Sequence, residues 1–545
     1  MAPKVTGSSP VGHPRHAWWQ TGVIYQVYPR SFQDSDGDGI GDLAGITSRL
    51  DYLRWLGVDA IWLSPINPSP MVDFGYDVSY YTDVDPIFGT LTDFDRLVAE
   101  AHARSIRVIC DFVPNHTSDQ HPWFIASRSS RDDPNRDWYL WRDPAPGGGP
   151  PNNWLSHFGG SAWTFDERTG QYYYHAFTVE QPDLNWRNPA VRAAMYTALR
   201  FWLDRGVDGF RVDVLWHLVK DEHFRDNPPD PEYREGVSLS PYHSLKPIYS
   251  ADRPEIHQLV AELRSVLEEY EDRLLIGEIY LPVERLVAYY GSDGLGAHLP
   301  YNFHLILTEW NARKIGSLID RYEGVLPPGA WPSWVLGNHD QPRVASRIGP
   351  EQARVAAVLL LTLRGTPTIY NGEEIGMHDV PIPPDLVRDP EARAGVPSRP
   401  QGRDPYRTPM QWDASVPAGF TTGVPWLPLA ADAAEVNVAR QREDPSSMLR
   451  LYRALLELRR REAALTIGSY ESVPASGDLL AYMREHAGRR LLVVLNLGHA
   501  QATFPMPEGV GGGRVLLNAR RDLEGEAVGA GLTLGPDDAL IVELR

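Results

Sequence analysis

GFRVDV, residues 209–214, decides the fold. Its apolar residues run together instead of alternating, as in a parallel strand buried on both faces. Yet it carries Arg211 and Asp213, which an apolar interior holds only when they are paired or used. Seven other runs share its character: VIYQVYP (23–29), AIWLSPI (60–66), VICDFV (108–113), LIGEIY (275–280), HLPYNF (298–303), SWVLGNHD (333–340) and PTIYNG (367–372). Eight such strands with helical crossovers predict an α/β chain built on a (β/α)8 barrel. A doubly wound sheet is the alternative. It usually has fewer strands, and no glycine-rich dinucleotide fingerprint follows the first run.

The segments between the runs support the barrel. Val191, Met195, Leu199, Trp202 and Leu203 fall on one face of a helix that Gly206 can end. Ile256, Leu259, Leu263, Val266 and Leu267 form a second stripe, and plain core packing explains both. The first two runs start at 23 and 60, but the third and fourth start at 108 and 209. The excess predicts an inserted irregular domain at 115–188, lying over the C-terminal rim of a catalytic barrel formed by 1–114 and 189–460. A second Pro-rich excursion spans roughly 373–440, and a helix is expected at 447–462. Beyond it, LLAYMRE, LLVVLNL and ALIVELR are short β-type runs between turn-forming clusters, which predicts an antiparallel β-sandwich at 461–545.

Composition narrows the function. The formal net charge of the 545 residues is -19, with no basic run to hold phosphates, so nucleic acid is not expected as a partner. Most of the 17 tryptophans and 25 tyrosines read as core or domain-contact residues, and some surplus is what a sugar-binding cleft also wants, because flat rings cover pyranose faces. The single cysteine, Cys110, excludes an internal disulfide and reads as a small core residue. Residues 1–16 read as a loose polar tail without a signal-peptide core, and no stretch of membrane-spanning length lacks charge. A cytoplasmic protein acting on small imported oligosaccharides, and not on a membrane, is expected.

In a barrel, side chains at the C-terminal strand ends converge on one mouth. The polar residues there are Asp111, Asn115 and His116 after the third run, Arg211 and Asp213 on the fourth, Glu278 on the fifth, and His339 and Asp340 after the seventh. Asp213, Glu278 and Asp340 are carboxylates from three different strands. One such residue is often a structural ion pair; three together favour glycoside cleavage, in which one carboxylate attacks the anomeric carbon and another protonates the leaving oxygen. Arg211 projects to the same side as Asp213 and is expected to keep it ionised. Glu278 has no basic neighbour in LIGEIY, which suits an acid.

The chain resembles the α-amylase superfamily, glycoside hydrolase family 13, in its oligo-1,6-glucosidase and α-glucosidase branch. The likeness covers nearly the whole chain and rests on DFVPNH (111–116), GFRVDV (209–214), the Gly-Glu pair at 277–278, NHD (338–340) and QPDLNW (181–186). It implies Asp213 as nucleophile, Glu278 as acid/base and Asp340 as transition-state stabiliser. It also implies that Asp73 and Tyr76 close the glucose pocket, in a loop where the family usually has Asn at the position of Phe74. Tyr76 would stack on the sugar. His116, Arg211 and His339 would bind hydroxyls or carboxylates, Arg407 would cap the pocket, and Phe158, Phe177 and Gln181 would line it. Such a blind pocket releases single glucose units and disfavours an endo-acting amylase. Val214, after the nucleophile, goes with α-1,6 linkages in relatives. Transfer or isomerisation through the same glucosyl-enzyme is the alternative reading. A non-catalytic scaffold would be expected to lack the three carboxylates.

Asp34, Asp36, Asp38 and Asp42 lie in DSDGDGIGD just after the first run. Alternate aspartates on a glycine-rich turn converge oxygens on a hard cation, although Gly45 stands where an EF-hand places its bidentate Glu. Asp42 and the Ile40 carbonyl would complete the shell. The resemblance implies structural Ca²⁺, and no organic cofactor is expected.

Overall fold

The computed structural model describes residues 16–234, 240–396 and 399–545, so nearly all of the expected N-terminal tail lies outside the described residues. All eight expected strands are present: β1 (Ile24–Val27), β2 (Ala60–Leu63), β3 (Arg107–Phe112), β4 (Gly209–Val212), β5 (Leu274–Ile279), β6 (Leu299–Asn302), β7 (Ser333–Val335) and β8 (Thr366–Tyr370). They pair in parallel in the order β7-β8-β1-β2-β3-β4-β5-β6, and β6 and β7 lie against each other to close the barrel. Every one of these strands is buried along almost its entire length, which is why their apolar residues do not alternate. Ile24, Trp62, Ile109, Leu274, Ile276 and Tyr301 fill the interior, so the barrel is a packed core with its chemistry confined to the ends.

The crossover helices bury the expected stripes. Helix Pro189–Asp204 starts on Asn188, whose side chain accepts from Ala190 N–H, with proline at the first turn. It buries Val191, Met195, Leu199, Trp202 and Leu203, and Gly206 follows with φ +93°, a left-handed conformation suited to glycine. Helix Ile256–Leu267 buries all five residues of its stripe.

Between β3 and β4 the chain forms helix Pro122–Ser129 and a three-stranded antiparallel sheet of Trp141–Arg142, Gln171–Tyr174 and Trp163–Asp166. The buried ammonium of Lys220, after β4, pairs with Asp183 and donates to Asn115 Oδ1 at 2.7 Å, pinning this excursion to the barrel. After helix Met448–Arg461, a six-stranded and a two-stranded antiparallel sheet pack together. The runs at 479–486, 489–496 and 539–544 form three adjacent strands of the larger one.

Candidate active site

Parallel register assembles the centre. Asp111 on β3 stands beside Arg211 on β4, and β5 carries Glu278 next along the sheet. Arg211, fully buried, places Nη1 2.9 Å from Asp111 Oδ1 and 2.7 Å from Asp213 Oδ1, and Nη2 2.8 Å from Glu278 Oε2. One guanidinium therefore serves three buried carboxylates. The expectation that Glu278 lacks a basic neighbour is corrected here: the cation comes from the adjacent strand, which the local sequence cannot show. Burial, and then the neighbouring Glu278 and Asp111, push the Asp213 carboxyl well above the usual carboxylate range against the pull of Arg211. Burial likewise pushes Asp111 up to about 6. With more negative than positive charge in the cluster, proton uptake belongs to the group as a whole.

Two backbone features set Glu278. Val214 has φ +36° and ψ +46°, a left-handed conformation unfavourable for a β-branched residue. It turns the Val214 N–H onto Glu278 Oε2 at 2.8 Å. Gly277 allows the next residue of that turn to approach, because a Cβ there would lie 2.4 Å from Leu215 Cδ2.

Asp340 faces the same space. Burial works against its charge, yet its carboxyl is held well below the usual range by His339, Arg403 and Arg407. His339 is itself kept neutral by burial, so the arginines supply the positive charge, Arg407 Nη2 at 2.7 Å and Arg403 Nη1 at 3.2 Å. The His339 ring stacks on Tyr76 at 5.4 Å and 4°, with Nε2 2.7 Å from the Tyr76 hydroxyl. That hydroxyl donates to Asp111 Oδ2 at 3.0 Å, which makes His339 Nε2 the donor. Burial holds His116 neutral too, at about 4, with Nε2 3.0 Å from the Tyr76 carbonyl.

A cavity of about 1280 Å³ opens onto these groups. Of the residues expected at the site, Asp73, Tyr76, His116, Phe158, Phe177, Asp213, Val214, Glu278 and Asp340 line it. Arg211, His339, Gln181 and Arg407 stand behind that surface, with Gln181 Nε2 donating to Asp73 Oδ2 at 3.2 Å. Arg407, expected to cap the pocket, is fully buried beneath Asp340 and bonds the His339 carbonyl at 2.9 Å. Of the two arginines in this stretch, the one facing the cavity is Arg403, four residues earlier, which joins Asp73 (2.5 Å), Asp340 (3.2 Å) and Asp389 (2.8 Å) and lies 5.3 Å from the Phe158 ring centroid. Sequence reasoning passed over it because two arginines share QGRDPYRTPMQWD (401–413) and only folding tells which reaches Asp73. His157, His217 and Tyr242 also line the cavity, from segments that carry no sequence signal. Phe74 has φ +48°, where Asn is tolerated and Phe is strained; its ring is held against Trp426 at 5.3 Å.

In the aspartate turn, Asp34, Asp36 and Asp42 each offer a carboxylate oxygen, and these lie within 4.8 Å of one another. Asp38 is outside that group, and its Oδ1 accepts from Ile40 N–H at 2.7 Å. Asp34 accepts backbone N–H groups of Asp36, Gly37 and Gly39 and the Thr421 hydroxyl, so the turn is tightly shaped. An all-oxygen set of this kind fits a hard divalent cation. Among the described residues, no helix is long and apolar enough to cross a membrane.

Residues 26–468 match the family model described as the α-amylase catalytic domain, and 468–541 match a domain of unknown function. The chain is 43% identical over 507 residues to a probable α-glucosidase of Rhizobium meliloti, covering 91% of this chain and 92% of that one. It is 42% identical to an oligo-1,6-glucosidase of Heyndrickxia coagulans, covering 90% and 94%. Among solved structures, an α-glucosyl transfer enzyme superposes with a TM-score of 0.92 at 41% identity, covering 97% of this chain and 100% of that one. The trehalulose synthase of Pseudomonas mesoacidophila does so with 0.90 at 37% identity, covering 98% and 100%.

Proposed function

The chain belongs to the α-amylase family, glycoside hydrolase family 13, and from that premise we propose that it is a retaining, exo-acting α-glucosidase of short α-glucosides that favours α-1,6 linkages. One observation carries the retaining reading: Asp213 and Glu278 share one guanidinium, with Asp213 Oδ1 2.7 Å from Arg211 Nη1 and Glu278 Oε2 2.8 Å from Nη2, which keeps the two carboxyls close together. Inverting enzymes separate their carboxyls by about 6.5–9.5 Å to admit a water, whereas retaining enzymes hold them about 5–5.5 Å apart.

The sequence of events follows from the side chains. Asp213 attacks the anomeric carbon while Glu278 gives its proton to the leaving oxygen. The alcohol departs and leaves a glucosyl ester on Asp213. Glu278, now a base, takes a proton from water, whose oxygen displaces Asp213. Asp340, held ionised between two arginines, hydrogen-bonds sugar hydroxyls as charge develops at the ring. Asp73, tied to Arg403, closes the far side of the glucose site. Neutral His116 and His339 give their N–H to the carbonyl and the hydroxyl of Tyr76, which fixes that ring without adding a charge.

The α-1,6 preference rests on Val214, which lines the cavity next to the nucleophile in the chain. Val214→Thr is expected to move the isomaltose-to-maltose ratio of kcat/KM toward maltose by about tenfold, within the range of single-group pocket changes. Timed product profiles on isomaltose, maltose, sucrose and starch test the whole reading; starch cleaved at internal bonds, with isomaltose inert, would overturn it. The two solved neighbours favour a second reading, glucosyl transfer or sucrose isomerisation, which new disaccharides outpacing free glucose would establish.

Asp34, Asp36 and Asp42, with Asp38 and the Ile40 carbonyl, are the residues we assign to structural Ca²⁺, which would neutralise their crowded charge. Chelation is expected to lower Tm by several degrees, with Ca²⁺ restoring it; an unchanged Tm would remove the ion. The lone, buried Cys110 suits a reducing compartment and supports a cytoplasmic location.

A further inference from the structure

Two histidines meet on the wall of the cavity, and the reaction derived above uses neither. His157 comes from the excursion between β3 and β4. His217 follows β4, and its backbone N–H bonds the Val214 carbonyl at 2.8 Å. Both line the cavity. Their Nε2 atoms lie 3.2 Å apart, and the ring planes cross at 67° with centroids 5.0 Å apart. Neighbouring rings fix them in place. His157 stacks on Tyr242 at 3.7 Å and on Phe177 at 4.8 Å, and Trp216 meets His217 at 4.1 Å.

Between two neutral rings, one Nε2–H donates to the other Nε2, and that bond by itself would simply tie the excursion to the barrel. It leaves His217 Nδ1 buried without a partner among the described residues. A metal ion can use the same pair of nitrogens. Zn²⁺ sits about 2.0–2.1 Å from each imidazole nitrogen, so at a tetrahedral angle two of them stand about 3.3 Å apart. The 3.2 Å found here meets that requirement. The proton displaced from Nε2 has a place to go, because no other group claims His217 Nδ1. Burial pushes the His157 ring down to about 3 and holds His217 well below its ordinary range, so each is neutral and offers a lone pair. Lys220, the ammonium that bears on His217, is paired with Asp183. The other coordination positions would face the cavity, where water completes the shell.

The pair adjoins the glucose pocket. The Phe177 ring lies 5.3 Å from His116 and 5.9 Å from His217, so a single ring stands between them. We propose that His157 and His217 bind a divalent transition metal that favours imidazole, Zn²⁺ or Cu²⁺, and that the ion held there obstructs the way to the glucose pocket. The site is separate from the aspartate turn, whose all-oxygen set suits a hard cation. The obstruction rests on the α-glucosidase reading above; the binding does not.

Cu²⁺ added to the full chain, with excess Ca²⁺ to fill the aspartate turn, should give an electron paramagnetic resonance spectrum split by two nitrogens, and Zn²⁺ should displace it. His157→Phe keeps a flat ring between Tyr242 and Phe177. It should weaken Zn²⁺ binding at least about tenfold, since losing even a group behind a metal ligand costs that much. The Zn²⁺ concentration that halves isomaltose cleavage should rise by the same factor, and a chelator should restore the parent. Should that variant fail to fold, His217→Phe replaces it. A spectrum without nitrogen splitting, equally tight binding in a folded variant, or Zn²⁺ held by the histidines with isomaltose cleavage unchanged would overturn the inference and leave the glucosidase reading intact. A chain that binds Cu²⁺ through two nitrogens but cleaves no α-glucoside would overturn that reading and leave the metal site standing.

Discussion

Replacing Arg403 by methionine separates the arginine that faces the substrate from the one that supports it. Arg403 holds three carboxylates, but the loss falls unequally. Asp340 keeps Arg407 at 2.7 Å, and Asp389 keeps it at 3.4 Å. Asp73 is left with Gln181 at 3.2 Å and the weaker pull of Arg407. Burial already pushes the Asp73 carboxyl up, and Arg403 is its chief counterweight. The variant should therefore push the Asp73 carboxyl further up, so that it presents a weaker anionic acceptor to the sugar. Removing one aimed electrostatic contact typically costs about 10²–10³ in rate, or roughly 3–4 kcal/mol. Arg403→Met should lose that factor in kcat/KM for isomaltose while its far-ultraviolet circular dichroism stays that of the parent. A folded variant within threefold of parental kcat/KM would refute the assignment of Arg403 to the glucose site.

Glu373 gives a pH signature in stability. Burial pushes its carboxyl from 4.5 up to about 7. A raised folded-state value means that its contribution is complete below about pH 4.5 and is lost as pH rises through 7, by at most roughly 3 kcal/mol. Urea titrations should show Glu373→Gln lacking that fall, and parallel profiles for parent and variant would count against it. Leu199→Ala, at a fully buried position, should cost about 2–5 kcal/mol in the same titrations. Asp213→Asn should abolish turnover without lowering Tm, because the amide relieves the crowding of Asp213 against Glu278 and Asp111 but cannot form the glucosyl ester; retained activity would rule out the nucleophile. Cys110, buried and with its thiol pushed up by burial, should react with thiol reagents only on unfolding.

The barrel was legible because burial on both faces imprints continuous apolar runs, and all eight fell where strands form. The helical stripes were legible because 3.6-residue periodicity is local. The positions of Asp213, Glu278 and Asp340 were legible because carboxylates ending apolar strands are costly unless used. What stayed hidden depended on neighbours distant in the chain. Glu278 looked free of cations in LIGEIY, yet Arg211 on the adjacent strand lies 2.8 Å away. Arg407 alone was expected at the pocket, and only the path of the excursion after β8 turned Arg403 toward Asp73 and buried Arg407 beneath Asp340. The left-handed turn at Val214, which aims its N–H at Glu278, has no signature in a β-branched residue. Local sequence carries propensity and the cost of burying a group, whereas the partner that repays that cost is chosen by topology.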